Sequence, residues 1–284
     1  MVSADHAAPR PAGPDAARIK VRDLHKVFES ASGQAVAALQ GIDLSVREGE
    51  FVCIVGPSGC GKSTLLRILA GLEDPSGGDL RIEVRRSDRP VNSMVFQEQS
   101  TFPWMTVRQN TAFGLEMRRV DRRARDERVD YYLQKVGLGD FSGAYPYQLS
   151  GGMKQRVCLA RAFANEPEVL LMDEPFASLD EQTRILMQEE LLRVWEAEHG
   201  RTIVFITHSI DEAVLLADRV VVMTARPGRI KSTFPVPFPR PRGNLAEIKA
   251  QPEFGRLTYR IWEMLRDEVM SAQAEEMSQW ARSR

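Results

Sequence analysis

Apolar runs with the length of a buried β-strand recur along the chain. Phe51–Val55 is bounded by glycine, and similar runs occupy Val169–Met172, Thr202–Ile206 and Arg219–Met223. Continuous apolar runs are typical of strands that are buried on both faces of a mostly parallel sheet. Helix-length segments precede these runs, so the pattern predicts an open α/β fold.

Two other regions have different patterns. Ile19–Val27 and Ile42–Val46 alternate apolar and polar positions, which predicts a small antiparallel β-layer at the start of the fold. Between about Pro103 and Pro146 there is no strand-like run, and apolar residues recur at helical intervals within charged stretches. This second region predicts a helical insertion that splits the core in sequence.

Composition and charge narrow the class of protein. The 284 residues include 38 Lys and Arg and 39 Asp and Glu, so the net charge of −1 argues against a broad basic field for nucleic acid. Arginines in 118–128 could form a local patch, but interleaved acidic residues favour a solvated helix face. Cys53, Cys60 and Cys158 show no disulfide or zinc pattern, which fits a reducing compartment. No apolar run approaches the roughly 20 residues of a membrane-spanning helix.

The two ends of the chain differ from the core. Residues 1–17 are rich in Ala and Pro, without an apolar signal region, and are predicted to form a disordered tail. After Arg226–Arg229, closely spaced prolines exclude helix and central strand. Helical spacing returns over Pro252–Trp280 and predicts a C-terminal helix that either packs on the core or binds a partner.

A glycine-rich segment fits the pattern G-x-x-x-x-G-K-[ST]. It consists of Gly56, Pro57, Ser58, Gly59, Cys60, Gly61, Lys62, Ser63 and Thr64. The segment follows a buried strand and precedes a helix-like run, which is the context of a phosphate-binding loop, or P-loop. Backbone N–H groups and the helix N-terminus can then converge on a polyphosphate. Lys62 is predicted to reach its β- and γ-phosphates, and the Ser63 hydroxyl to ligate Mg²⁺.

Cys60 lies inside this loop, between two glycines. Backbone amides, the helix N-terminus and Lys62 stabilise negative charge there, so we predict that Cys60 is the most reactive of the three thiols. The alternative is a small residue that fits a tight loop and is never modified.

The strand Val169–Met172 is followed by two carboxylates, Asp173 and Glu174. Acidic residues that close a strand are often turn formers, but here they accompany a phosphate-binding loop on a neighbouring strand. Asp173 is therefore predicted to hold the Mg²⁺ shell, and Glu174 to polarise the attacking water as a general base.

The segment Leu149–Arg156 supplies a second small-residue loop before a helical run, and it resembles the signature motif of ABC-type ATPases. The order of phosphate loop, glutamine, signature, acidic strand and histidine also fits. The chain is thereby identified as similar to the ATP-binding subunits of ABC transporters. This resemblance implies a P-loop NTPase (RecA-like) core of the α/β class, with an antiparallel β-subdomain and an α-helical signature subdomain. The implied ATPase domain spans 18–230, its helical subdomain about 98–160, and a C-terminal extension 231–284.

The resemblance also implies roles for single residues. Phe28 looks like the aromatic residue on which adenine stacks, with a plain core role as the alternative. Gln97 looks like the glutamine that binds Mg²⁺ and the attacking water. His208 looks like the switch histidine that contacts the γ-phosphate. Asp180 lies in a segment similar to the loop that couples two protomers.

Family membership implies partners as well. Ser150, Gly151 and Gly152 of one subunit would cap the ATP bound by a second copy of the chain. Stretches such as Phe96–Glu98 and Phe102–Val107 are similar to the nitrate/sulfonate/taurine importer ATPases. The implied function is ATP hydrolysis with Mg²⁺ that powers import of a small anionic or organic solute. Two transmembrane permease subunits, an external solute-binding protein and a peripheral position on the cytoplasmic face of the inner membrane are implied too.

Other functions use related cores. Soluble ABC-type ATPases act on nucleic acid or ribosomes, but those chains usually insert long coiled coils or duplicate the cassette, and here one short insertion separates Lys62 from Ser150. The transporter interpretation, without nucleic acid, is therefore favoured. A small-molecule P-loop kinase would need neither the signature segment nor His208. Within the insertion, we hypothesise that Phe102–Trp104 lines a groove for a permease helix.

Overall fold

The structure, a computed structural model, describes residues 17–29, 35–86, 88–98, 100–197 and 201–282, with side chains described up to residue 270. Nearly all of the predicted disordered tail lies outside these residues. Ala17, its last residue, instead begins the first strand.

Nine strands and eight α-helices follow one another in the described residues. The strands are β1 (Ala17–Glu29), β2 (Ala35–Arg47), β3 (Phe51–Val55), β4 (Gly77–Ile82), β5 (Asn92–Val95), β6 (Val169–Asp173), β7 (Thr202–Ile206), β8 (Arg219–Met223) and β9 (Ile230–Pro235). The helices are α1 (Lys62–Leu69), α2 (Val107–Met117), α3 (Arg122–Lys135), α4 (Gly151–Ala164), α5 (Glu181–Ala197), α6 (Ile210–Leu216), α7 (Leu245–Lys249) and α8 (Pro252–Arg282).

The main sheet has six strands in the order β5-β6-β7-β3-β8-β9. All neighbours pair in parallel except β8 and β9, which are antiparallel. Every residue of β3, β6 and β7 is buried, as the continuous apolar runs predict. The predicted α/β fold is confirmed.

Strand β3 contributes to the hydrophobic core on both faces of this sheet. Phe51, Cys53 and Val55 belong to a cluster that includes apolar residues of α5 and α6. Val52 and Ile54 belong to a second cluster, with residues of α1, β1 and β2. Because side chains alternate along a strand, one short element joins both cores.

The smaller sheet has the order β2-β1-β4, and both of its pairs are antiparallel, as the alternating pattern predicts. Val21 pairs with Leu44 on one side and with Leu80 on the other. A single bridge between Leu39 and Gly228 connects β2 with the segment that follows β8. This sheet is the predicted antiparallel β-subdomain.

The predicted helical insertion contains α2, α3 and the signature helix α4, which pack on one another. The Thr106 hydroxyl accepts a hydrogen bond from the Gln109 N–H and caps α2. Buried Asn110 holds the preceding loop, because its amide donates to the carbonyls of Phe102, Met105 and Thr106 at 3.0–3.1 Å.

The sequence resemblance implies that the ATPase domain ends at residue 230, but the main sheet continues past this residue. Strand β9 adds to the sheet as an antiparallel edge strand, with Val221 paired to Thr233. Pro235 is accommodated because it closes an edge strand. Helix α8 then packs against α6 through a buried stripe that includes Leu257 and Ile261, as its spacing predicts.

In the described part of the chain, no helix combines the length and apolarity needed to cross a membrane.

Glu50 anchors the start of β3. Its buried carboxylate accepts hydrogen bonds from the Arg219 guanidinium at 2.7 and 2.9 Å and from the Arg47 N–H at 2.8 Å. Burial alone would raise the pKa of Glu50, but the bonds from Arg219 and Arg47 outweigh it, so the net pKa is lowered.

We expect Glu50→Gln to lower the free energy of unfolding by about 2 kcal/mol at pH 7, the scale of a hydrogen bond to a charged group. A depressed folded-state pKa means that ionised Glu50 stabilises the fold fully above its ordinary value of 4.5. That contribution is lost as the pH falls further, so the difference between variant and wild type should shrink. Urea unfolding at pH 7 and pH 4 measures the difference in the free energy of unfolding between wild type and variant. An equal difference at both pH values would contradict a stabilising role for the ionised carboxylate.

Candidate active site

The candidate site lies at the edge of the main sheet where β3, β6 and β7 end. A cleft of about 300 Å³ opens there. Its lining comprises Phe28, Ala38, Ser58, Gly59, Cys60, Gly61, Lys62, Ser63, Thr64, Glu174, His208 and Arg226. Ligands of open α/β folds bind outside the carboxyl ends of the strands, so the location is the expected one.

The P-loop connects β3 to α1. Gly61 is the N-cap of α1 and has a φ of +98°. A Cβ on Gly61 would lie 2.7 Å from the Leu39 side chain and 2.8 Å from the Ala38 carbonyl oxygen, so only glycine fits. The N-terminus of α1 therefore opens directly on the cleft, where its N–H groups and partial positive charge favour an anion.

The Lys62 side chain is buried along this loop. Its ammonium donates hydrogen bonds to the carbonyl oxygens of Gly56 and Pro57, each at 2.8 Å. The same nitrogen lies 3.8 Å from the Cys60 sulfur. A positive charge is thus held beneath the loop that the sequence predicts to bind phosphate.

Two oxygen donors meet between the P-loop and β6. The Ser63 hydroxyl donates to Oδ1 of Asp173 at 3.0 Å. Burial raises the pKa of Asp173, although the Ser63 hydrogen bond opposes the shift. Mg²⁺ prefers hard oxygen ligands and commonly takes only one or two from the protein beside phosphate and water, so this pair fits Mg²⁺. Within the described ranges, no three His, Cys, Asp or Glu side chains form a protein-only metal cage.

Glu174 and His208 contact each other across neighbouring strands. His208 Nε2 lies 2.5 Å from Glu174 Oε1. Glu174 has a φ of +45°, in the left-handed region that costs a non-glycine residue about 1 kcal/mol or more. Its N–H donates to the Ile206 carbonyl at 3.0 Å, which ties this strained residue to the end of β7. Strain of this kind concentrates at functional sites.

Phe28 lines the cleft from the β-subdomain, with the Lys26 ammonium 4.8 Å from the centre of its ring. Gln97 follows β5, and the pairing of Val95 with Met172 places it at the same sheet edge as Asp173. The Gln97 side chain is exposed and does not line the cleft.

The predicted signature residues lie away from this cleft. Ser150 is the N-cap of α4 and accepts a hydrogen bond from the Met153 N–H at 3.3 Å, and Gly151 and Gly152 form the first turn. Asp180 caps α5 through the Thr183 N–H at 3.0 Å, and this hydrogen bonding lowers the pKa of Asp180. None of these residues lines the cleft of its own chain.

Two lining residues carry no role in the sequence-based prediction, Ala38 and Arg226. The backbone carbonyl of Ala38 lies so close to Gly61 that a Cβ there would be 2.8 Å from its oxygen, an approach that no side-chain pattern reveals. Arg226 follows β8, which neighbours β3 in the sheet. The shared sheet edge is the signal that could have identified Arg226, because the carboxyl ends of neighbouring parallel strands meet there.

Cys60 is predicted to be the most reactive thiol because its environment favours the thiolate, and this expectation about its environment is wrong. Cys60 is 1% exposed and belongs to the apolar cluster of α1 and β3. A Cβ on Gly56 would lie only 2.8 Å from the Cys60 sulfur, so the side chain is packed beneath the loop. Burial raises the pKa of Cys60 more than nearby Lys62 lowers it.

We expect a maleimide to label Cys60 in the folded protein at least about tenfold more slowly than in urea, because the thiol is buried and protonated. Cys53 and Cys158 should behave alike, since burial raises the pKa of both. Peptide mapping after limited alkylation measures all three at once. Labelling of Cys60 in the folded protein at the rate found in urea would contradict this result.

Comparisons with known proteins agree with this geometry. Residues 39–177 match the family model described as ABC transporter. The chain is 48% identical over 257 residues to an uncharacterized ABC transporter ATP-binding protein, MJ0412, of Methanocaldococcus jannaschii, covering 90% of this chain and 94% of the relative. It is 46% identical over 254 residues to the nitrate import ATP-binding protein NrtD of Synechocystis sp., covering 87% and 95%. It is 44% identical over 260 residues to the taurine import ATP-binding protein TauB of Roseobacter denitrificans, covering 89% and 96%.

A solved structure has the same fold. The dimeric ATP-binding cassette MJ0796, in a post-hydrolysis state bound to ADP and Pi, matches with a TM-score of 0.67 at 30% identity. The match covers 77% of this chain and 98% of that one. Long, closely similar relatives and a cleft built on a P-loop lead to one conclusion: this chain belongs to the family of ABC transporter ATP-binding proteins and is an ATPase.

Proposed function

We propose that this chain is the ATP-hydrolysing subunit of an ABC importer for a small anionic or organic solute of the nitrate, sulfonate or taurine type. The main support is that the P-loop, Glu174 and His208 line one cleft, and that the Ser63 hydroxyl donates a hydrogen bond to Asp173. The direction and the solute class are supported by relatives of nearly full length whose names specify nitrate import and taurine import.

ATP binding begins with its phosphates at the P-loop. Backbone N–H groups and the N-terminus of α1 receive the polyphosphate. Lys62 exchanges its bonds to the Gly56 and Pro57 carbonyls for oxygens of the β- and γ-phosphates. Phe28, which lines the same cleft, stacks on the adenine.

Ser63 and Asp173 would hold Mg²⁺, and Gln97 at the same sheet edge would complete the set of protein oxygens. When bound, Mg²⁺ neutralises part of the phosphate charge. The Asp173 carboxyl must be ionised in this role, although burial raises its pKa. Because a nearby cation favours the ionised form, affinity for Mg²⁺ should weaken as the pH falls toward that raised pKa.

Glu174 is the general base. Its carboxylate accepts the proton of the attacking water, and its contact with His208 orients it. His208 is exposed on the cleft side and can turn from Glu174 toward the γ-phosphate. A histidine that contacts the base in one arrangement and the phosphate in another would couple the presence of ATP to hydrolysis.

A second copy of the chain completes the site. Ser150, Gly151 and Gly152 lie outside the cleft of their own chain, at the exposed N-terminus of α4. That helix end has the N–H groups to receive the γ-phosphate of ATP on another copy. Twofold packing gives two such composite sites, with the Asp180 loop between the protomers. The dimeric structural neighbour supports this arrangement.

Two transmembrane permease subunits dock on the helical insertion, at the cytoplasmic face of the membrane. The docking surface is the loop 102–106, where Trp104 is 69% exposed and lies 5.6 Å from the Phe102 ring. Asn110 holds this loop rigid, and preorganised aromatic residues concentrate interface energy. An external solute-binding protein would deliver the solute to the permease.

The solute class is tested by reconstituting the chain with its permease subunits and binding protein. We expect ATP hydrolysis to be stimulated by one member of a panel of nitrate, alkyl sulfonates and taurine. Stimulation by none of them, with intact basal hydrolysis, would contradict the proposed solute class and leave the ATPase assignment intact.

Replacing the general base should separate binding from chemistry. Glu174→Gln should keep ATP binding while slowing hydrolysis by roughly 10² to 10⁴, the usual scale for general-base catalysis. An ATP-bound dimer should accumulate because turnover is slow. Phosphate release and size-exclusion chromatography measure the two effects. Hydrolysis at the wild-type rate would exclude Glu174 as the base.

A substitution at Trp104 tests the docking surface. Trp104→Ala should spare the ATPase activity of the isolated subunit and weaken co-purification with the permease, because the exposed ring is lost from the interface. Trp262→Ala is the matched control, since Trp262 is an exposed tryptophan on α8. Unchanged co-purification, or unfolding of the isolated variant, would favour another docking surface or a core role for Trp104.

A further inference from the structure

The segment 224–229, here named the Arg226 loop, joins β8 to β9 at the edge of the cleft. Arg226 lines the cleft together with Phe28 and the P-loop. Arg226 is exposed. Among the described residues, its guanidinium forms no hydrogen bond and no ion pair. An uncommitted arginine in a binding cleft is available to a ligand.

The backbone of this loop is held firmly. The Gly228 N–H donates to the Ala38 carbonyl at 2.9 Å, and the Gln40 N–H donates to the Gly228 carbonyl at 3.0 Å. A Cβ on Gly228 would lie 2.0 Å from the Cys60 carbonyl oxygen, so the two backbones are in direct contact. The Arg226 loop therefore packs against both β2 and the P-loop.

The order of strands places Arg226 at one end of the cleft. Glu174 and His208 follow β6 and β7, on one side of β3, whereas the Arg226 loop follows β8, on the other side. If the γ-phosphate faces Glu174 and His208, as in the proposed function on which this step rests, the nucleoside faces β8. Phe28 and Arg226 then share the nucleoside end.

The C-terminal helix contacts the same loop. Glu268 of α8 accepts a hydrogen bond from the Ala225 N–H at 2.8 Å, and its other oxygen lies 2.7 Å from the Lys231 ammonium. Lys231 also donates to the Met264 carbonyl at 3.1 Å, which fastens β9 to α8. Ala225, which precedes Arg226, is thus hydrogen-bonded directly to the C-terminal helix.

We propose that Arg226 binds the nucleoside end of ATP as a planar cation packed against the base, and that Glu268 is a positioning residue that holds the Arg226 loop for this contact. Guanidinium groups stack on aromatic rings, and the purine has a face available for such stacking. The hydrogen bond between Glu268 and Ala225 gives the C-terminal extension a function. A partner that binds α8 and displaces it would change the affinity of the cleft for ATP.

Calorimetric titration with ATP, ADP and inorganic tripolyphosphate tests the role of Arg226. Arg226→Ala should weaken ATP and ADP binding by about five- to tenfold and leave tripolyphosphate binding unchanged, because only the nucleoside contact is lost. Arg229→Ala, which removes the same charge from the same loop at a residue outside the cleft lining, should change none of the three affinities. Unchanged ATP affinity in Arg226→Ala, or an equal loss for tripolyphosphate, would overturn the nucleoside contact.

The role of Glu268 requires a double-mutant cycle. Glu268→Ala should weaken ATP binding by about two- to fivefold, and Glu268→Gln, which keeps an acceptor for the Ala225 N–H, should restore it. In the Arg226→Ala background, Glu268→Ala should have no further effect. Additive losses, or no rescue by glutamine, would overturn the positioning role. A wild-type chain that binds tripolyphosphate but not ATP would overturn the Arg226 contact, whereas one that binds neither would refute the ATP site itself.

Discussion

The burial of β3 between β7 and β8 is the constraint on which the site depends. Its side chains alternate between two hydrophobic clusters, so the strand cannot shift in register without exposing apolar residues of both. The P-loop starts where β3 ends, and the loops that follow β6, β7 and β8 start at the same edge of the sheet. Parallel pairing around β3 therefore brings together the P-loop, two carboxylates, a histidine and an arginine that are far apart in sequence.

The same architecture separates the signature residues from this cleft. The helical insertion leaves the sheet after β5 and returns at β6, and α4 packs on α2 within that insertion. The N-terminus of α4 consequently lies away from the P-loop of its own chain. In the proposed dimer each chain supplies a phosphate site to one ATP and a signature turn to the other, so closure around ATP changes the spacing of the two chains. Movement of the docking surface on the same insertion would then transmit closure to the permease.

Some of this structure was predictable from the sequence, for particular physical reasons. The buried strands are recognisable as continuous apolar runs and the P-loop by its glycines, so the local sequence pattern predicts the fold and the P-loop end of the cleft. Local pattern failed where side-chain direction or long-range packing decides. The Cys60 side chain is buried although the residue lines the cleft, and β9 extends the main sheet beyond residue 230, where the sequence resemblance places the end of the ATPase domain. The strained backbone of Glu174 and the position of Arg226 depend on tertiary packing, which the sequence alone does not reveal.

In the proposed dimer, one chain holds the phosphates of ATP while a second chain closes the site. Cross-linking of a chain that carries Ser58→Cys and Ser150→Cys tests this dimer, because position 58 lies in the P-loop and position 150 caps α4, the signature helix. With a bifunctional thiol reagent and bound Mg·ATP, we expect a covalent dimer that links position 58 of one copy to position 150 of the other. Cross-links within one chain only, or no covalent dimer while ATP is bound, would contradict it.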